Sequence, residues 1–330
     1  MITVVIPCYK VSNHILGVLD KIGQEVDRIF VVDDLCPEKT GGLVKHKCTD
    51  QRVKVLFNNT NLGVGGATIR GINEALSESS EIIIKVDGDG QMDPGLIPTL
   101  IEPLLNAQAD FTKGNRFHQP EYWRSMPKAR LLGNSGLSFI SKLSSGYWSL
   151  MDPTNGFFAI HETVAREISW EKLSPRYFFE SDLLYHLSLS RAVIKSIPMP
   201  CHYGDEKSNL SLWKALLEFP FLHSNRFAKR LFYNYILRDL NPGSLMLINT
   251  ITFLPFGLLF GTWKWYLSIK TGELASAGTV MLSVLPIVIG YQSLLSFLHI
   301  DIENEPSEPI QKKPPTASIG SRVDNPSKRN

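Results

Sequence analysis

Asp87, Asp89, Gln91 and Asp93 stand at alternate positions in EIIIKVDGDGQMDP (81–94), directly after an apolar, β-branched run. Two carboxylates separated by one glycine can put one near a hard divalent cation, Mg²⁺ or Mn²⁺, and the other near a ribose. The Gln91 amide adds a neutral oxygen ligand. A cation held this way bridges a diphosphate and stabilises the charge that develops as it leaves. An acidic turn that merely solvates a strand end has the same spelling, so the motif needs company.

Company is present. Asp33 and Asp34 close VVDD (31–34), where a carboxylate can accept a hydrogen bond from a base N–H or simply cap a helix. In NNTNLGVGGATIRG (58–71), glycines before a helix allow close backbone approach, and the helix N-terminus favours anions. GVGG lacks the GxGxxG spacing and follows the third strand, which argues against a hydride-transfer enzyme. Glu180 and Asp182 in FFESD (178–182) are candidates for a general base or for sugar hydroxyl contacts, and equally for the polar face of a helix. HYGDEKSNL (202–210) could close over a nucleotide or only cap a helix. The eight histidines show no HxH or HxxxH metal spacing.

The elements that must position these groups alternate. ITVVIP (2–7), RIFVVDD (28–34), VKVLFNN (53–59) and EIIIKVD (81–87) read as strands, with helical spacing in HILGVLDKI (14–22) and VGGATIRGINEAL (64–76). Near-continuous apolar strands with intervening helices predict an α/β fold, a parallel sheet covered on both faces. Ligands bind such sheets beyond the carboxyl ends of the strands. Pro7-Cys8-Tyr9, Asp33-Asp34, Asn58 to Asn61 and Asp87-Gly88-Asp89 all fall there. Further on, DFTKGNR (110–116), GFFAI (156–160) and AVIKSIPM (192–199) read as strands, and residues 128–146 and 178–190 as helices.

The 330 residues carry a formal charge of +2, so no global field favours nucleic acid. Hydropathy is uneven: no charged residue occurs from Pro242 to Thr262 or from Leu274 to Leu298. Each stretch meets the roughly 20 apolar residues needed to cross a bilayer. WKWYLSIKTGE (263–273) joins them, with aromatics suited to a membrane interface. Arg226, Lys229, Arg230 and Arg238 precede the first span, and Lys312, Lys313, Arg322, Lys328 and Arg329 follow the second. The positive-inside bias then predicts an integral membrane protein with both termini cytosolic. The N-terminus enters a strand directly, without a cleavable signal pattern. Leu212 to Asp239 reads as interfacial helices, and the Pro-, Ser- and Lys-rich tail as disordered. The expected organisation is 1–210 catalytic, 211–240 interfacial, 241–300 a two-helix anchor and 301–330 a disordered tail. Cys8, Cys36, Cys48 and Cys201 lack CxxC spacing and read as free thiols.

VVIPCYK, VVDD, NLGVGGATIRGI, DGDGQMDP, GNR (114–116) and DPTNGFFAI (152–160), in that order, resemble the family 2 glycosyltransferases with the GT-A fold, a Rossmann-like nucleotide-diphospho-sugar transferase fold. With the two C-terminal spans, the resemblance is to the branch that glycosylates polyprenyl phosphates, and it covers roughly residues 1–300. The family usually follows the acidic pair with Gly-Ser-x-Asp-x-Thr. This chain reads DDLCPEKT, where Glu38 stands in for the aspartate.

The resemblance implies an inverting hexosyl transfer from a UDP- or GDP-linked sugar to dolichyl or undecaprenyl phosphate. Pro7, Tyr9, Asp33, Asp34, Asn61, Gly63 and Asp87 would bind the nucleotide, and Asp87, Asp89 and Gln91 the metal. Asp89, Asp152, Arg116 and Arg130 would form the catalytic set, the arginines gripping phosphate oxygens and Asp152 opening the segment beside donor sugar and acceptor. Glu180 and Asp182 would meet sugar or acceptor. A lipid phosphate is already anionic, so it needs no general base, whereas an alcohol acceptor would. The rivals are a membrane transferase that extends a glycan or glycolipid, with Glu180 or Asp182 as base, and a non-catalytic nucleotide-binding adaptor. A homo-oligomer is compatible with either.

Overall fold

The computed structural model describes residues 1–118, 128–200 and 212–311, with only the backbone for 128–132, 134 and 212–217. HYGDEKSNL, Cys201 and the basic tail beyond residue 311 lie outside the described residues. The chain forms two compact units, one of Met1–Arg226 together with the chain from Pro306, the other Phe227–Glu305.

The first unit is built on β1 (Ile2–Cys8), β2 (Arg28–Asp33), β3 (Val53–Phe57), β4 (Ile82–Lys85), β5 (Phe111–Asn115), β6 (Phe158–His161) and β7 (Ile194–Pro198). They form one seven-stranded sheet in the order β3-β2-β1-β4-β6-β5-β7. The helices are α1 (Ile15–Asp20), α2 (Thr40–Lys47), α3 (Gly63–Ser77), α4 (Ile97–Leu105), α5 (Lys128–Ser145), α6 (Glu162–Glu167), α7 (Phe179–Ser190) and α8 (Leu212–Phe232).

Strand side chains alternate between two cores because successive residues point to opposite faces. Val4, Ile6, Ile29, Val31, Ile82 and Ile84 pack with Val18, Val44 and Leu100 on one face. Val5, Phe30, Val32 and Ile83 pack with Ala67, Ile72 and Leu184 on the other. Covered on both sides, β1 and β4 are buried along their whole length.

β1 to β4 pair in parallel, as expected. The chain steps outward through β2 and β3, then returns to the other flank of β1 as β4. Strand order reverses at β1/β4, and the crevice at such a reversal is where ligands bind. The sheet is mixed rather than wholly parallel, because β6 runs antiparallel between β4 and β5. Its register sets Phe158 opposite Lys85, so the preceding segment DPTNG arrives beside the carboxyl end of β4.

The tail differs from expectation over its first residues. Asp301–Glu303 end a helix, and Ile310 and Gln311 dock on the first unit. The Asp110 carboxylate accepts from the backbone amides of Ile310 (2.9 Å), Gln311 (3.0 Å) and Val193 (2.8 Å). Gln311 Nε2 also donates to the carbonyls of Leu104 (3.1 Å) and Ala109. A buried carboxylate requires such donors, and composition does not reveal that a distant tail supplies them.

The second unit comprises the end of α8, a π-helical turn (Tyr233–Arg238), α9 (Pro242–Thr271) and α10 (Ala277–Glu303). Both long helices have the length and apolarity to cross a membrane. WKWYLSIK is not a loop between them: α9 continues to Thr271 and the reversal occurs at Gly272, whose φ is +73°. Gly257 faces Ile287 and the Ser283 carbonyl, and Gly290 faces the Leu254 backbone, at distances that exclude a Cβ. Small residues of this kind let apolar helices approach closely. Arg230 grips Asp301 at 2.7 and 2.9 Å, and the Tyr235 hydroxyl donates to the same carboxylate at 2.7 Å.

Candidate active site

The Asp87–Gln91 turn leaves the carboxyl end of β4 at the strand-order reversal. Gly88 packs over Ile6, Cys8 and Val11, where a Cβ would come within 3.0 Å of Val11, and Gly90 takes φ +79°. Both glycines are therefore demanded by the turn, which holds Asp87, Asp89 and Gln91 partly exposed. Asp89 Oδ1 accepts the Gln91 amide at 3.0 Å, as an Asx turn does. Burial, with Asp33, Cys36 and Asp87 nearby, pushes the Cys8 thiol up, so it stays neutral beneath the turn.

Two lysines that pattern reading passed over complete the site. Lys85 is buried on the sheet, its Nζ 2.6 Å from Asp87 Oδ1 and 3.5 Å from Glu180 Oε1. Burial opposes its charge, but Asp87, Glu180 and Asp89 outweigh that and hold its pKa above the ordinary value. Lys113 is equally buried and donates to the Asn155 carbonyl. Burial pulls its pKa down to about 8 against the opposing pull of Glu180 and Asp152, with Lys85 and Arg116 adding to the decrease. The signal was available: a lysine inside IIIKVD or FTKGN interrupts a buried run, and buried lysines require partners.

Arg116 and Asp152 come together. Arg116 Nε and Nη2 donate to Asp152 at 2.7 and 2.9 Å, and the Arg116 amide adds a third bond at 3.1 Å. Asp152 is fully buried, whereas Arg116 keeps 24% of its side chain exposed. In the structure Asp152 orients Arg116, whose planar fork suits phosphate oxygens. Arg130 lies on α5, and its side chain falls outside the described residues.

The acidic pair after β2 is engaged internally. Asp33 accepts the amides of Cys36 (2.7 Å) and Gly41 (2.6 Å). Asp34 accepts from Asn58 Nδ2 (2.7 Å) and from the amides of Leu62 and Gly63 (both 2.8 Å). Both carboxylates are buried and shape the loop edge, with Asn61 Nδ2 bonded to the Asp34 carbonyl at 3.1 Å. The N-terminus of α3 is consequently capped by Asp34, and its glycines admit residues 174–179 rather than an open anion site. A Cβ on Gly63 would stand 2.8 Å from the Pro175 carbonyl, and one on Gly65 2.7 Å from Phe179. Pro7 is buried in β1, while Tyr9 is exposed just beyond it with Lys10 over its ring. Leu35 occupies the place of the family glycine with φ +52°, and Glu38 accepts from Ser12 Oγ at 2.6 Å.

Both carboxylates of FFESD are paired with cations in the structure. Asp182 is fully buried, accepting the Ser174 amide (2.8 Å) and paired with Arg226 at 2.6 Å. Glu180 is the counterion of Lys85, and a carboxylate that compensates a buried ammonium is poorly suited to take a proton.

Among the described residues no three His, Cys, Asp or Glu side chains group to hold a cation. Asp87, Asp89 and Gln91 still supply hard oxygen donors of the type that Mg²⁺ or Mn²⁺ takes, in a set too small to saturate it. That fits a cation whose remaining positions are filled by phosphate and water.

A mixed α/β sheet with an acidic turn at its strand-order reversal and an arginine clamp alongside defines a GT-A-like nucleotide-sugar transferase fold. Residues 3–169 match the sequence profile described as Glycosyl transferase family 2, and the chain belongs to that family of glycosyltransferases. It is 28% identical over 219 residues to UDP-N-acetylglucosamine--dolichyl-phosphate N-acetylglucosaminyltransferase of Methanococcus voltae, covering 62% of this chain and 87% of that protein. Against dolichol-phosphate mannosyltransferase of Pyrococcus furiosus it is 26% identical over 226 residues, covering 67% of this chain and 61% of that one. Mannosyl-3-phosphoglycerate synthase from Rubrobacter xylanophilus shares the fold with a TM-score of 0.54 at 17% identity, covering 73% of this chain and 77% of that one. So does glucosyl-3-phosphoglycerate synthase of Mycobacterium tuberculosis, solved with Mn²⁺, UDP-glucose and phosphoglyceric acid, with a TM-score of 0.53 at 18% identity; the match covers 70% of this chain and 79% of that one.

Proposed function

We propose that this chain transfers a hexose, with inversion, from a UDP- or GDP-linked sugar to a membrane polyprenyl phosphate, with Mg²⁺ or Mn²⁺. The observation that carries the reading is the Asp87–Gln91 turn and the Arg116–Asp152 clamp at one end of one sheet, in a chain with two helices long enough to span a bilayer. Relatives named for dolichyl-phosphate and undecaprenyl-phosphate acceptors support it.

Asp87, Asp89 and Gln91 would hold the cation, which supplies positive charge for the departing diphosphate. The exposed part of Arg116, oriented by Asp152, would neutralise a phosphate oxygen at the crevice. The turn and the clamp thus bring two negatively charged reactants within reach of each other, the main task when the nucleophile is already an anion. The buried Asp182 and the lysine-bound Glu180 speak against an alcohol acceptor that needs a base. The positive-inside bias favours a cytosolic transferase unit with both termini on the same side, and a homo-oligomer is compatible with this scheme.

The test is a panel of nucleotide sugars offered to the purified full-length protein with polyprenyl phosphate or polyprenol, with and without EDTA. Product with the phosphate alone, abolished by EDTA and by Asp89→Ala, is the expected result. Turnover on the alcohol alone, or unchanged turnover of Asp89→Ala, would overturn the proposal.

A further inference from the structure

The ammonium of Lys85 touches a carboxylate that the proposed reaction assigns to a cation. Its Nζ lies 2.6 Å from Asp87 Oδ1, its other anionic neighbour is Glu180 at 3.5 Å, and its side chain is 1% exposed. It cannot swing into solvent to make room. Gly156 seals this arrangement from the β6 side: a Cβ there would collide with Lys85 Nζ and stand 2.6 Å from Asp87 Oδ2.

Charge at this end of the sheet is nearly balanced before any ligand arrives, with one negative charge in excess. Lys85, Lys113 and Arg116 face Asp87, Glu180 and Asp152, and Asp89 adds one further negative charge. A bare divalent cation would sit against an immobile ammonium, at a carboxylate already half committed, and with too few protein oxygens. Like charges at that range repel strongly where water is sparse. A cation carrying a nucleoside diphosphate brings its own negative oxygens, and the repulsion is offset.

We propose that Lys85 is a positioning residue that makes the Asp87–Asp89 site bind a divalent cation and a nucleoside diphosphate as one unit, holding off the metal alone. This rests on the metal role proposed above for Asp87 and Asp89. Its benefit is chemical: the carboxylates stay oriented by Lys85 and are not occupied by a metal lacking its donor.

Mn²⁺ binding to the full-length detergent-solubilised protein, followed by EPR of free Mn²⁺ with and without UDP or GDP, tests this without any turnover. Wild type should bind Mn²⁺ weakly alone, and at least tenfold more tightly with one of the two nucleotides. In Lys85→Met, Mn²⁺ alone should bind about tenfold more tightly than in wild type, and the enhancement by nucleotide should shrink accordingly. Structural damage would not produce such a gain. Equal or weaker Mn²⁺ binding in folded Lys85→Met would overturn the proposal. Should Lys85→Met fail to fold, Glu180→Gln decides, because it removes the second carboxylate paired with the Lys85 ammonium and leaves that charge to Asp87. At least threefold weaker binding of Mn²⁺ alone is then expected, and unchanged or tighter binding refutes the idea. Asp89→Ala separates the two levels. If it binds Mn²⁺ and nucleotide like wild type, the metal site itself is wrong and this inference falls with it. If it loses binding while the Lys85 variant changes nothing, only the inference fails.

Discussion

Asp152 holds Arg116 through both of its carboxylate oxygens, at 2.7 and 2.9 Å, from a fully buried position. The arginine is therefore held pre-aimed at the carboxyl end of β5, with little side-chain entropy left to lose when it meets phosphate. Asp152→Asn keeps the shape but offers one acceptor oxygen where Arg116 presents two donors, and leaves the guanidinium charge unbalanced. Breaking a buried pair costs roughly 3 kcal/mol or more. We expect kcat/KM to fall by about 10- to 100-fold, with a lower melting temperature. Steady-state kinetics with a thermal melt check this, and wild-type kinetics would contradict it.

Gly156 is the second lever. An alanine Cβ would collide with Lys85 Nζ and come within 2.6 Å of Asp87 Oδ2, both part of the buried charge cluster. The β6 register prevents the backbone from retreating, because Phe158 is paired with Lys85. Gly156→Ala should fold with a loss of about 1–3 kcal/mol from overpacking, and should lose at least tenfold in activity. Denaturant melts and initial rates measure the two effects separately.

Leu35 adopts φ +52° immediately after the acidic pair. A left-handed conformation costs a Cβ-bearing residue about 1–2 kcal/mol, while the Leu35 side chain is 57% exposed and gains little by packing. Part of that strain is returned when glycine replaces it, less the extra entropy of an unfolded glycine. Leu35→Gly should raise stability by about 0.5–1 kcal/mol and leave nucleotide affinity intact, as urea titration and nucleotide binding would show.

His223 is buried against Phe178, with Nδ1 2.7 Å from Ser144 Oγ, and burial lowers its pKa to about 4. Between its folded value and the ordinary 6.5, the unfolded chain binds a proton that the folded chain refuses. Stability is thus fully present above pH 6.5 and is lost as pH falls toward 4, by up to about 3 kcal/mol. His223→Gln, which cannot titrate, should lack this acid-side component. Melting temperatures from pH 4 to 7 provide the comparison.

Much of this was legible in the linear chain because the signals are local. Apolar runs such as IIIK and TVVI announce strands buried on both faces, the glycines of GVGGATIRG a tightly packed helix start, and DGDGQ a turn that leaves donors exposed. Two uncharged stretches announce the long helices, although both helices run past the uncharged limit at their C-terminal ends because a helix continues as long as its backbone bonds are satisfied. Helices α2 and α4 were not apparent, since TGGLVKHK and IPTLIEPLL carry glycines or proline in their first turn and are short.

By itself, then, the order of residues determined the strand-and-helix alternation, the acidic turn, the membership in a nucleotide-sugar family and the membrane-length helices, because each depends on neighbours in the chain. Only the tertiary structure decided which charges meet. Asp152 found Arg116, Lys85 found Glu180, Asp182 found Arg226, and Asp110 found the backbone of Ile310. Those pairings cross tens to hundreds of residues and depend on strand order and register. A buried charge must find a partner, but nothing in its immediate neighbours says where that partner will be.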